Sequence, residues 1–157
     1  MGERCLRTAE VAGSSPVPST NFVFYTGLRG HKRLFFLKIK EEGDMKIVPY
    51  WEVTAESIED PTASGVKMRW VISQKDGAEN FAMRVVEISP GGHSPLHQHP
   101  HEHEVFILKG KGILTCEGEK TPLVPGDVAF ILPNEEHQFR NTGQDKLEFL
   151  CLIPIKK

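Results

Sequence analysis

No stretch of this chain is apolar for long enough to cross a bilayer. Its longest hydrophobic runs are broken by Lys, Arg or Pro, far short of the roughly 20 residues a spanning helix needs. No membrane partner is expected. Cysteine is scarce too: Cys5, Cys116 and Cys151 are odd in number and widely spaced. They can build neither a disulfide framework nor a CxxC zinc or redox pair, and a reducing cytoplasm is the expected compartment. An excess of positive charge is also missing. The 19 Lys+Arg against 21 Asp+Glu leave a net charge of −2, which offers nucleic acid no basic surface. Helical periodicity of useful length and solenoid-type repeats are absent as well. What remains is a globular composition, 39% hydrophobic and 25% charged over 157 residues, enough for one core and too little for two.

Charge divides the chain unevenly. Residues 1–44 hold 7 Lys+Arg against 5 Asp+Glu, and residues 45–157 hold 12 against 16, so +2 stands beside −4. The stretch Ala12 to Thr20 reads like a translated transfer-RNA gene, since the T-arm consensus GGTTCGAGTCC gives Gly-Ser-Ser-Pro in one frame. Residues 1–44 are therefore expected to be an N-terminal extension from a misplaced start codon. Met45 would be the natural first residue and 45–157 the single domain. A genuine flexible tail is the plainer alternative; a targeting peptide is disfavoured because no apolar core precedes a small-residue cleavage site. Phe22 to Tyr25 and Leu34 to Ile39 have strand composition but receive no function.

From Val66 onward, short β-branched and aromatic runs alternate with turn residues at the spacing of a β-sandwich or barrel. Strands are expected at Val66–Ile72, Phe81–Ile88, Val105–Leu108, Ile113–Glu117, Val128–Leu132, His137–Arg140 and Lys146–Ile153. The breaks are Lys75-Asp76-Gly77, Ser89-Pro90-Gly91-Gly92, Lys109 to Gly112, Glu117-Gly118, Pro125-Gly126-Asp127 and Asn141-Thr142-Gly143. The fold class is all-β, a meander that must close on itself.

Chemistry enters between His93 and His103, where five of the seven histidines lie within eleven residues. In extended chain His97 and His99 point the same way, about 7 Å apart at Cα for a rise of roughly 3.3 Å per residue. Two imidazoles so placed can converge on one ion. Solvated or buried histidines, or a tract that gathers metal nonspecifically, are the plainer alternatives.

This segment resembles the cupin superfamily, whose motifs are G-x5-H-x-H-x3,4-E-x6-G and G-x5-P-x-G-x2-H-x3-N. Gly91, His97, His99 and Gly110 fit the first motif, and the count back from Gly110 lands on His103 where the family has glutamate. Gly126, His137 and Asn141 keep the spacing of the second. Pro133 falls one place late there, and Pro133-Asn134-Glu135-Glu136-His137 holds Glu135 where glycine is usual. The resemblance spans roughly residues 45–157 and is nearest to small stand-alone cupins with a four-histidine metal site. It implies a double-stranded β-helix, a jelly-roll-like barrel, holding one divalent metal ion on His97, His99, His103 and His137. Manganese or iron is the ion the family suggests; imidazole also accepts zinc, nickel and copper. Glu104 then points away, as a solvated carboxylate or a partner of a ligand, and His93 and His101 fall in loops, where either could orient a ligand or shuttle protons.

Four neutral imidazoles would leave the ion its full charge, and in an octahedral ion two positions would stay open for water, dioxygen or substrate. Strand alternation puts Val105, Ile107, Phe139, Phe149 and Cys151 on the metal-facing side as pocket walls, Cys151 being either a small buried hydrophobe or a soft group near the ion. No Lys or Tyr stands out as a base, and no Arg or Lys as a phosphate anchor. The functions to be weighed are a dioxygenase-like oxidoreductase acting on a small apolar or aromatic molecule, a non-catalytic module that binds or senses a small molecule, and, third, a sugar or sugar-phosphate isomerase. Which of these is catalytic at all is left to the site. A homodimer is expected from the unpaired edges of a small open barrel, with Val66–Ile72 and Val48–Val53 as candidate contact segments.

Overall fold

A computed structural model describes residues 45–155. The expectations for residues 1–44, including the two strands and the start site, lie outside the described residues. Nine strands occur among the described residues: β1 (Glu56–Ser57), β2 (Ser64–Ile72), β3 (Phe81–His93), β4 (His103–Lys109), β5 (Gly112–Cys116), β6 (Glu119–Leu123), β7 (Val128–Ile131), β8 (His137–Asn141) and β9 (Leu147–Pro154). Beyond these, Tyr50–Glu52 and Gln74–Asp76 form single 3-10 turns. No helix of the described residues is long and apolar enough to cross a membrane.

All pairings are antiparallel, in the order β6-β5-β8-β3-β9-β4-β7, with β2 on β3 and β1 on β2. Strand β3 serves both walls. Its residues 81–88 pair with β2 and β9, and its far end sets His93 opposite Arg140 of β8. That is possible because the expected turn at Ser89-Pro90-Gly91-Gly92 does not end the strand. The register slips between Ser64 and Val66 of β2, so the extra residues of β3 form a bulge and the chain bends while remaining extended. Gly92 is required there, since a Cβ would stand 2.4 Å from the Ser64 carbonyl oxygen.

Two short strands were not expected. β1 is only two residues long, and β6 is polar and contains Pro122. Proline cannot donate to a ladder and is tolerated at an edge, which is where β6 lies. Glu117 and Gly118, both at positive φ, turn β5 into β6, the backbone a tight hairpin needs.

Pairing fixes which side chains face inward. Arg84, Cys151 and Val105 lie in one row, Val86, Phe149 and Ile107 in the next, and Ile88 and Leu147 in the third. Ile88, Ile107 and Leu147 are fully buried and, with Val66, Leu114, Leu123, Ile131 and the stacked pair Phe139–Phe149, fill one end of the barrel. At roughly 25 cal/mol per Å² of apolar surface removed from water, this cluster is the main stabilising element. Three of the inward columns pass from apolar at the filled end to polar at the other. His103 precedes Val105 and Ile107 in β4, His137 precedes Phe139 in β8, and Arg84 precedes Val86 and Ile88 in β3.

Candidate metal centre

The histidine-bearing segments are tied together by backbone. His97 and His137 form a two-bond bridge, N–H to O 3.2 Å one way and 2.9 Å the other, and the Asn134 N–H donates to the His99 carbonyl at 2.8 Å. The two motifs, 40 residues apart from His97 to His137, are thus set by main-chain ladder bonds rather than by their side chains. The Leu132-Pro133-Asn134-Glu135 turn that delivers His137 resolves the departure noted in the sequence. Asn134, not Glu135, takes the left-handed conformation, at φ 66°. With Pro133 before it and the Glu135 N–H donating to the Leu132 carbonyl at 3.3 Å, asparagine fills the place glycine usually takes.

One ring nitrogen from each of His97, His99, His103 and His137 lies within 4.8 Å of the other three. Nδ1 of His97 is 3.0 Å from the Pro95 carbonyl, Nδ1 of His99 2.8 Å from that of His101, and Nδ1 of His137 2.9 Å from that of Glu135. A carbonyl only accepts, so each of these Nδ1 atoms carries the proton and Nε2 presents its lone pair. Nε2 of His99 and of His103 approach to 2.5 Å. Among the described residues His103 has no carbonyl partner at Nδ1. Cys151 Sγ lies 3.1 Å away and Arg84 Nη2 3.3 Å, so with Nε2 as the donor atom the sulfur is the acceptor for its N–H. This donor set fits a divalent transition ion, whose imidazole ligands must be neutral and are held in one tautomer by a bond at the other nitrogen.

Electrostatics favour the same protonation. Burial pushes His103 down to about 2, with the Arg84 charge adding to it, and burial likewise lowers His99 and His137. Burial pushes the Cys151 thiol up, while Arg84 pulls it the other way. Glu104 stands outside the cluster. It faces Phe130 and Leu152 on the neighbouring strands, on the side of β4 opposite to His103.

Above the imidazoles opens a cavity of about 430 Å³, lined by Phe139, Phe149 and Cys151 and also by Met68, Arg84, Val86 and Ile153. Val105 and Ile107 do not line it. They share its face but are sealed in the core beneath, 3% and 0% exposed. His101 stacks on His99 at 3.7 Å between ring centroids. His93 is the last residue of β3 rather than a loop residue, and its Nδ1 lies 3.1 Å from the Ser94 carbonyl. Asp60 is at the cavity wall, its carboxyl held below the usual range by hydrogen bonds from Thr62. Arg84 is the residue the sequence reading missed: the expectation of no cationic anchor is corrected by its place in the wall. Alternation with Val86 and Ile88 was the available signal, but without the pairing partner of β3 it could not be told from a surface arginine.

A curled antiparallel barrel with its core at one end and converging imidazoles at the other defines a class, and comparison with known proteins agrees. The chain belongs to the cupin family: the cupin domain model matches residues 84–153. An oxalate-binding protein of Thermotoga maritima is 34% identical over 119 residues, 72% of this chain and 97% of that protein. The solved structure of a polyketide cyclase from Streptomyces resistomycificus superposes with a TM-score of 0.68 at 33% identity, covering 72% of this chain and 81% of that one. Glucose-6-phosphate isomerase of Pyrococcus horikoshii is 36% identical over 93 residues, 52% of this chain and 49% of the enzyme.

Proposed function

We propose that the Met45–Lys157 unit holds one divalent metal ion, manganese or iron, on His97, His99, His103 and His137, and acts as a dioxygenase-like oxidoreductase on a small molecule bound in the adjoining cavity. The carrying observation is the convergence of four imidazoles, three with Nδ1 committed to a carbonyl, beneath a wall of Phe139, Phe149, Val86 and Ile153. A bound ion would supply a Lewis-acidic, potentially redox-active centre. The chain's own residues do the rest. The Pro95, His101 and Glu135 carbonyls orient three imidazoles, and Cys151 orients the fourth. The apolar wall excludes water and holds the carbon body of the ligand. Free thiols at Cys116 and Cys151 accord with a cytoplasmic setting.

A second reading, sugar-phosphate isomerisation, is favoured by Arg84 in the wall and by the isomerase relative; the oxalate-binding relative favours binding without turnover. Metal analysis of protein purified without added metal, followed by an oxygen-consumption screen, decides among them. Manganese or iron with ligand-dependent oxygen uptake is the expected result. Zinc with no uptake of oxygen for any ligand that binds would overturn the oxidoreductase assignment.

A further inference from the structure

Arg84 differs from the other part-buried cations of the barrel. Arg69 donates to Glu87 at 2.7 Å, Lys146 to Glu87 at 2.9 Å and Lys46 to Asp76 at 2.9 Å, whereas Arg84 has no carboxylate within ion-pair distance among the described residues. Its neighbours are soft or neutral. Nη2 is 3.0 Å from Cys151 Sγ and 3.3 Å from His103 Nδ1, Nη1 is 4.0 Å from Met68 Sδ, and the guanidinium sits 5.6 Å from the centroid of the Trp70 ring. Nε is buried without a partner. A guanidinium offers five donors and accepts nothing, and sulfur and an aromatic face answer them weakly. Removing such a charge from water without an anion is costly. Arg84 nevertheless projects from β3 into the row that includes Cys151, beside His103, and lines the cavity.

We propose that Arg84 is the anchor for a carboxylate group of the ligand, so that the molecule bound beside the metal centre is a small organic acid with an apolar body. The inference rests on the reading of that cavity as the ligand's place. The lining favours a carboxylate: histidines aside, Arg84 is the one cationic side chain in the wall among the described residues, and a single planar guanidinium matches a single carboxylate in a two-bond pair. Away from the imidazoles and Ser94 the wall is largely apolar, with Val86, Phe139, Phe149 and Ile153 in it, and about 430 Å³ accommodates a ring or a short chain.

The test is calorimetric titration of the full chain, loaded with manganese, with benzoate, benzyl alcohol and phenyl phosphate, for the wild type, R84M and R84K. Metal content is measured on the same samples. Benzoate is expected to bind more tightly than the other two, and R84M to weaken it by about 10- to 100-fold, the scale of a lost charge-assisted hydrogen bond. R84K should retain part of the affinity, and benzyl alcohol should not distinguish the three proteins. Benzoate bound equally by R84M with its metal intact, or a wild type that does not prefer benzoate to benzyl alcohol, would overturn the inference. Tighter phenyl phosphate would overturn the choice of carboxylate. A wild type that takes up no metal overturns the proposed metal centre itself, and this inference with it.

Discussion

His103 and Glu104 are neighbours in sequence with opposite environments. His103 is 5% exposed and its ring nitrogen joins the cluster, while Glu104 turns to the outer face. The two faces of one strand cannot both meet the same ion. His103→Ala should therefore weaken manganese binding by more than the 10- to 100-fold that is typical of losing a group that only supports a ligand. Glu104→Gln, which keeps the volume, should leave the metal content intact. Competition titration against a chelator checks both, and the reverse order would restore a three-histidine, one-glutamate centre. His97 and His99 were legible from their spacing in extended chain, and His103 and His137 from the resemblance to the two family motifs, because each motif is local and its parity is set within a few residues. Arg84 was not, because its meaning depends on Cys151 and His103, 67 and 19 residues away, and on which carboxylates are out of reach.

At the level of elements, most strands were readable from β-branched runs and turn residues, and the exceptions share a cause. β6 has little apolar content because it is an edge, and the bulge in β3 arises because Ser64 of β2 pairs beyond it; neither pairing is written in the local sequence. The same holds for Glu87, an acidic residue inside an apolar run. On the outer side of the sheet it is 4% exposed, pairing with Arg69 of β2 and with Lys146, just before β9. Arg69 also donates to the Val53 carbonyl, and Tyr50 to Glu148 at 3.0 Å, so the segment preceding β1 is tied down on this face. Burial alone would raise the Glu87 carboxyl, but the hydrogen bonds from Lys146 and Arg69 outweigh it and hold it below its ordinary 4.5. A depressed carboxyl stabilises the fold in full above its unfolded value, and that contribution disappears as pH falls through the lower folded value. Glu87→Gln should cost about 3 kcal/mol near neutral pH, the low end for breaking a buried pair. The gap to the wild type should narrow below about pH 4.5. Urea melts at pH 7 and pH 3 test this; an equal gap at both would remove the ion pair from the explanation.

The whole molecule leaves one of its edges apolar. β7 ends the sheet with β4 on one side and no strand on the other among the described residues. Val128 and Phe130 on β7 are 76% and 62% exposed, and beside them lie Phe106, Leu108 and Leu132, each more than a third exposed. Pairing sets Phe106 opposite Val128, so these side chains form one outward strip across two strands. An unpaired edge with such a strip is a template for another strand, and a second copy of the chain is self-complementary to it. A two-fold axis beside β7 would set two β7 strands antiparallel and cover the same residues on both partners. Val66–Ile72 offers less free edge, since β3 takes one side of β2 and β1 covers Lys67 and Met68 on the other, and part of Val48–Val53 is committed to Arg69 and Glu148. The expectation is a homodimer at micromolar concentration that Phe130→Glu converts to monomer without loss of metal, since Phe130 points away from the imidazoles. Light scattering coupled to gel filtration reads both states. A wild type that runs as a monomer removes the dimer, and a dimer indifferent to both Phe130→Glu and Val128→Glu removes this edge as its interface.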